Sequence, residues 1–431
     1  MVHPETLAHE KNFIMVDKNE YPDMRFIDLF AGCGGLSLGL SNAGWKGVFA
    51  VEKNEDAFET LTHNFNRKPT LRFDWPEWLP QHAMSTSDLL TSFSAELESL
   101  RGKIDLIAGG PPCQGFSFAG RRQEDDPRNQ LKNEYLQIVD IIRPRFLVFE
   151  NVKGFTARFN NSASPSHSDQ VIQQLEKLNW GGYKTFSKIL NASMFGVPQP
   201  RPRFILLAVR NDLLTKGIAS FDPLERIDMH AKDFRKLKKL NGHDITVKEA
   251  ISDLEIRTSG VRESSDTKGF QEIVYKPEAL SEFQRLMKKG AGKGKPANSL
   301  RLARHKINTV KRFKDILETC PKGKSLPRDF REKHGIRKQC FTPLHPDELS
   351  KTVTTLPDDL LHYSEPRILT VRECARLQSF PDWFEFLGKY TTGGARRKLE
   401  CPRYTQVGNA VPPLMAEALG RLIVKMQEQL G

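Results

Sequence analysis

Four groups of side chains in this 431-residue chain stand where chemistry could be done. Cys113 directly follows Gly109-Gly110-Pro111-Pro112, which stops the apolar run of Ile104, Leu106 and Ile107. That run reads as a buried strand. A thiol at such a strand end can be a nucleophile if a neighbour lowers its pKa or accepts its proton. A lone cysteine in a tight turn is more often a small buried residue, so the surrounding residues must decide. Glu150 ends a second apolar run, Phe146 to Phe149. A carboxylate there is costly unless paired, solvated or at work. Glu52 ends a third run and lies twenty residues after Gly32, the spacing at which an acid can grip ribose hydroxyls. Spacing alone leaves a surface acid equally open. Arg201 and Arg203, in Gln199-Pro-Arg-Pro-Arg203, precede a further apolar run; by spacing alone they read as surface charge at a strand start.

The elements that must hold these groups follow from pattern. Phe26 to Phe30 reads as a strand, Ala31 to Gly35 as a glycine turn, and Leu36, Leu40 and Ala43 as a helix face. Strand, glycine turn and helix open a doubly wound nucleotide-binding fold. The pattern is Gly32-x-Gly34, with Ser37 at the third glycine position. This weighs against a pyrophosphate and leaves open a cofactor without phosphates, held by backbone amides and a helix N-terminus. Phe58, Leu61 and Phe65 mark a second helix, and Leu136, Val139 and Ile142 another. Ser87-Asp88-Leu89 either starts a helix capped by Asp88 or meets the cofactor. The polar loop from Phe118 to Arg128 could close over a substrate. Phe204 to Val209 is the fifth strand. Five strands alternating with helical patterns predict an α/β fold with a mostly parallel, doubly wound sheet.

Composition narrows the class. Net charge is +12, and the six cysteines are scattered with no CxxC pair. That speaks against a zinc ribbon or disulfide framework and for reduced thiols in the cytosol. There is no apolar run of membrane-spanning length and no signal-like apolar stretch in residues 1–24, an extension of undecided role. After Arg210 the strand–helix alternation stops. Residues 284–338 carry 18 lysines and arginines against four acids, an excess of 14 that exceeds the charge of the whole chain. Such a segment predicts a phosphate-backbone surface. Further on, Thr370 with Glu373 has the pattern of a capping box.

Six motifs, in order, resemble those of the DNA (cytosine-5)-methyltransferases: Phe30-Ala-Gly-Cys-Gly-Gly35, Gly110-Pro-Pro-Cys-Gln-Gly-Phe-Ser117, Glu150-Asn151-Val152, Gln199-x-Arg201-x-Arg203, Leu369-Thr-Val-Arg-Glu373 and Gln406-Val-Gly-Asn-Ala-Val411. The resemblance covers nearly the whole chain. It implies a class I S-adenosylmethionine-dependent, Rossmann-like catalytic domain over 25–211, a smaller target-recognition domain over 212–400, and a segment 401–431 that returns to the first. It implies Cys113 as the nucleophile, Glu150 as the acid at the base, and Arg201 and Arg203 as donors to the base, the active-site loop and nearby phosphate. Phe30, Gly32, Gly34, Leu36, Glu52, Lys53, Asp88, Leu89 and Asn409 would meet S-adenosylmethionine, with S-adenosylhomocysteine as product and no metal. Lys53 departs from the aromatic or apolar residue often found there; its alkyl stem can substitute. The substrate implied is double-stranded DNA, acted on by a cytoplasmic, nucleoid-associated monomer with no membrane partner. The lack of amino-terminal regulatory domains suggests a prokaryotic modification enzyme, whose cognate restriction endonuclease would act on the same site. A transfer-RNA methyltransferase of the same superfamily is one competing reading: Cys340-Phe341-Thr342 fits, but Pro343-Leu-His-Pro follows without spaced tyrosines. A catalytically inactive DNA-binding homologue is another, opposed by the presence of Cys113 and Glu150.

Overall fold

A computed structural model describes residues 24–112, 130–157, 165–214, 222–240, 242–291, 296–336, 338, 340–392, 396 and 399–430. Cys113 and the polar loop after it lie outside the described residues.

The central sheet has six strands: β1 (Arg25–Leu29), β2 (Lys46–Val51), β3 (Leu106–Gly109), β4 (Phe146–Val152), β5 (Tyr183–Asn191) and β6 (Pro202–Arg210), in the order β2-β1-β3-β4-β6-β5. The first four are parallel; β6 runs antiparallel to β4, and β5 antiparallel to β6. The sheet is therefore mostly parallel, as its sequence predicts, but it holds six strands rather than five. The additional strand, β5, is an edge strand with Lys184, Ser187 and Lys188 exposed. Its lysines and open face hide it from a search for apolar runs, while they discourage pairing with another chain.

The inner strands read as continuous apolar runs because both faces are covered. Phe26, Leu106, Ala108, Phe146, Val148, Ile205 and Leu207 enter one core; Ile27, Leu29, Ile107, Leu147, Phe149, Phe204 and Leu206 enter the other. Helices α1 (Gly35–Asn42) and α2 (Glu55–Asn66) follow β1 and β2; α3 (Thr86–Ser92) and α4 (Ser94–Ser99) precede β3; α5 (Leu131–Ile142) and α6 (His167–Glu176) flank β4. The final helix, Pro413–Leu430, lies on α1 so closely that a Cβ on Gly39 would come within 2.3 Å of the Ala416 Cβ. The first core extends through helix Val371–Leu377 and Phe380, Phe384 and Phe386. A smaller apolar cluster, built on Phe313, Ile316, Leu326, Phe341, Leu361 and Ile368, carries the basic helix Ile307–Thr319.

Strand order reverses between β1 and β3, so the crevice beyond their carboxyl ends is where an open α/β sheet binds ligands. The glycine turn and the Gly110–Pro112 stretch both leave the sheet there.

Candidate active site

The glycine turn is built on left-handed backbone. Phe30, Gly32 and Gly34 have φ of 61°, 57° and 94°. A Cβ on Gly34 would come within 2.9 Å of Phe65, so this position needs glycine for space as well as conformation. Around Gly32 the reverse holds: a Cβ would meet nothing within 4 Å, which leaves open space over the turn. The turn is pinned by Ala31 N–H to the Val51 carbonyl at 2.9 Å. Ser37 donates to Asp28 Oδ2 at 2.5 Å inside the core, tying α1 to β1.

Glu52 closes this space from the end of β2. Its Oε2 accepts from Gly32 N–H at 2.9 Å and its Oε1 from Asn54 N–H at 2.8 Å. Burial pushes the carboxyl above its ordinary range, opposed by those same hydrogen bonds. The residues fit a nucleoside cofactor without phosphates. A carboxylate suits a ribose diol, open space lies above Gly32, and no residue from Phe30 to Gly35 is basic. Asn409 ends helix Arg403–Asn409 and is exposed. The backbone just beyond it lies on the turn: a Cβ on Gly35 would come within 2.3 Å of the Val411 carbonyl oxygen.

Lys53 is exposed. The side chains of Leu36 and Leu89 are buried in the two cores. Asp88 is exposed, and its carboxylate closes a capping box at α3, accepting from Ser85 N–H at 3.2 Å and Ser85 Oγ at 2.7 Å. The helix thus begins before the expected Ser87-Asp88-Leu89: Ser85 is its N-cap, and Asp88 is the third helical residue rather than the cap. Just before this helix, Met84 donates its N–H to the Glu52 carbonyl at 2.9 Å.

The second half of the site lies at the ends of β3 and β4. Gly110 faces Glu150 so closely that a Cβ there would meet Glu150 Oε2 at 2.8 Å. Asn151 donates through Nδ2 to the Pro111 carbonyl at 3.1 Å, holding the turn that leads to Cys113. Tyr135 of α5 donates to the Ile107 and Val148 carbonyls at 3.2 and 3.3 Å, fixing the two strands from beneath. Arg203, diagonal to Glu150 across the antiparallel β4–β6 pair, forms an ion pair with it, Nε to Oε1 at 2.7 Å.

Arg201 does not join that pair. It is buried, donating from Nη1 to the Val353 carbonyl at 2.9 Å and from Nη2 to the Gly408 carbonyl at 2.6 Å. Its guanidinium braces two distant segments, so it is a positioning residue. Gln199 does the same, donating to the Leu377 carbonyl at 2.7 Å and accepting from Val353 N–H at 2.9 Å. Burial pushes the thiols of Cys33 and Cys374 well above their ordinary range, which makes them poor nucleophiles.

The model of the family described as C-5 cytosine-specific DNA methylase matches residues 24–425. The chain belongs to that family. It is therefore a DNA (cytosine-5)-methyltransferase, and enzymes of this family use S-adenosylmethionine. Among its relatives, the Type II methyltransferase M1.HphI of Haemophilus parahaemolyticus is 32% identical over 94% of this chain and 87% of its own length. The Type II methyltransferase M.DdeI of Desulfomicrobium norvegicum is also 32% identical, over 93% of this chain and 88% of its own. A putative DNA modification methyltransferase from an Escherichia coli prophage has a similar fold, with TM-score 0.62 and 24% identity over 94% of this chain and 100% of that one. The S. pombe Dnmt2 methyltransferase is similar at TM-score 0.52 and 17% identity, over 95% and 100%. Among the described residues, the methylase has no helix long and apolar enough to cross a membrane and no cluster of three metal-ligating side chains.

Proposed function

We propose that this methylase modifies one cytosine within a specific duplex DNA sequence, with Cys113, Glu150 and Arg203 acting on a base flipped out of the helix. The observation that carries the reading is the Glu150–Arg203 pair, set against Gly110 at the turn that runs into Cys113. Cytosine C5 is a weak nucleophile. Addition of the Cys113 thiolate to C6 moves electron density to C5 and to N3. Glu150 donates a proton or hydrogen bond to N3, and Arg203 orients Glu150 while offering N–H groups to the base oxygen. The Phe30–Gly34 turn, Glu52 and Asn409 would hold S-adenosylmethionine, whose sulfonium would supply an electrophilic methyl group to C5, with S-adenosylhomocysteine as the leaving group. Loss of the C5 proton then lets Cys113 leave and restores the ring. The part of the chain over 212–400, with the basic segment 284–338, grips and reads the duplex. Relatives that bear the name Type II methyltransferase, M1.HphI and M.DdeI among them, support a protective role against a restriction endonuclease of the same sequence.

Plasmid methylated by the purified chain, mapped for 5-methylcytosine by bisulfite sequencing, should show one recurring sequence. Wild type should also form a denaturation-resistant adduct with duplex carrying 5-fluorocytosine, whose C5 cannot lose a proton, and Cys113→Ser should not. Transfer to transfer RNA in place of duplex DNA would favour the competing reading. An active enzyme with no adduct would exclude the covalent role of Cys113.

A further inference from the structure

Beside Glu52 lies a stretch that none of the motifs includes. Residues 399–401 are fastened to the first turn of α2 at two points. Asn54 donates from Nδ2 to the Leu399 carbonyl at 3.1 Å, and Cys401 donates its N–H to Asp56 Oδ2 at 2.9 Å. The carbonyl of Cys401 accepts from Gln406 Nε2 at 2.9 Å, and the Gln406 carbonyl in turn accepts from the thiol of Cys33 in the glycine turn at 3.6 Å. Asn54 is also the residue whose N–H binds Glu52 Oε1, and its own side chain caps α2. The stretch is thus linked through hydrogen bonds both to Glu52, by way of Asn54, and to the glycine turn, by way of Gln406 and Cys33. Its backbone is held, yet the Leu399 side chain is 80% exposed, more than any other large apolar residue described. Nearby, Lys53 offers only an exposed cationic chain. A purine presents two flat apolar faces, and a ribose anchored on Glu52 would place its base close to this rim.

We propose that Leu399 is a cofactor-positioning residue that packs against the nucleoside of S-adenosylmethionine. It supplies the apolar contact that Lys53 supplies poorly. Asn54 is the joint that sets its distance from Glu52. The inference rests on the reading of Glu52 as the ribose ligand. Burying part of a leucine side chain against a base is worth about tenfold in affinity, or about 1.4 kcal/mol.

The test is calorimetry on the full chain with three ligands: S-adenosylmethionine, S-adenosylhomocysteine, and 5′-methylthioadenosine, which keeps the nucleoside but lacks the amino-acid tail. Leu399→Ala should weaken all three about tenfold, and Leu399→Phe should bind them at least as tightly as wild type. Thermal stability without ligand should not change in either variant, because the side chain is largely in solvent. Unchanged affinity for all three ligands in Leu399→Ala would overturn the inference. So would a loss confined to the two ligands that carry the amino-acid tail. Glu52→Ala, measured in the same series, keeps the two ideas apart. If it weakens binding while Leu399→Ala does not, only the Leu399 contact is wrong; if it leaves binding intact, the ribose reading itself fails.

Discussion

Asp28 lies in the core beneath the glycine turn, and its titration can be measured. It lies on β1, flanked in the sheet by Ala50 and Ala108, and is fully buried. Its Oδ2 accepts from Ser37, while Oδ1 has no hydrogen-bond partner among the described residues. Burial is the main cause that raises this carboxyl from 3.8 to about 7; the bonds from Ser37 oppose it and the charge of Glu52 adds to it. A folded-state pKa above the unfolded one means stability that is fully present below the unfolded value and lost as pH rises through the folded one. About three pH units at ~1.4 kcal/mol each amount to ~4 kcal/mol lost between about pH 4 and pH 7. Asp28→Asn keeps the shape and removes the titration. Losing or weakening the bond from Ser37 costs a constant ~1 kcal/mol, which offsets the variant's curve without tilting it. Urea unfolding of both proteins should therefore show the free-energy difference moving in the variant's favour by about 3 kcal/mol between pH 5 and pH 8, then levelling off. Parallel curves over that range would refute the idea that Asp28 is held neutral. The neutral form also matters to the site, because an ionised Asp28 would repel Glu52 from beneath the turn.

Further outcomes follow from the other placements. Arg203→Ala leaves Glu150 without its partner and should lower turnover by about 10²-fold, with cofactor affinity by calorimetry changed less than twofold. Arg201→Ala should act chiefly on folding, lowering stability by about 2–4 kcal/mol in denaturant titrations, because two buried carbonyls lose their donor; a fully stable variant with lost turnover would return Arg201 to the substrate. Neutralising Lys311, Arg312 and Lys314 together should weaken binding to all duplexes alike and leave the methylated sequence unchanged. Lys311 and Lys314 are exposed while Arg312 is half-buried, so the salt slope should flatten by about two units, not three, at ~0.9 per phosphate contact. An unaltered slope would mean this helix does not touch the backbone.

What could be read from the sequence was what short range determines. The apolar runs gave β1 to β4 and β6 because both faces of those strands are buried, and the glycines and terminal acids marked where the sheet would bind. The Thr370–Glu373 capping box forms as its spacing predicts, with Thr370 accepting from Glu373 N–H and Glu373 from Thr370 N–H. Asp88 shows the limit of the same logic. One acid after a serine suits a cap and a ligand equally, and only the fold shows that its carboxylate is engaged by Ser85. Arg201 was not legible for a different reason. Its partners, Val353 and Gly408, are 152 and 207 residues away, and no local pattern reports them. The two arginines of Gln-x-Arg-x-Arg alternate along one extended stretch, so neighbouring positions two apart could be expected to serve one site. They separate because Arg201 precedes β6, where the chain meets the 350s and the final helices, whereas Arg203 is already in register with the end of β4. A motif thus carries two different jobs. One arginine ties the start of β6 to the backbone at Val353 and Gly408, and the other faces Glu150. Both bear on the same region, since Gly408, held by Arg201, lies three residues before Val411, whose carbonyl oxygen packs on Gly35 of the glycine turn.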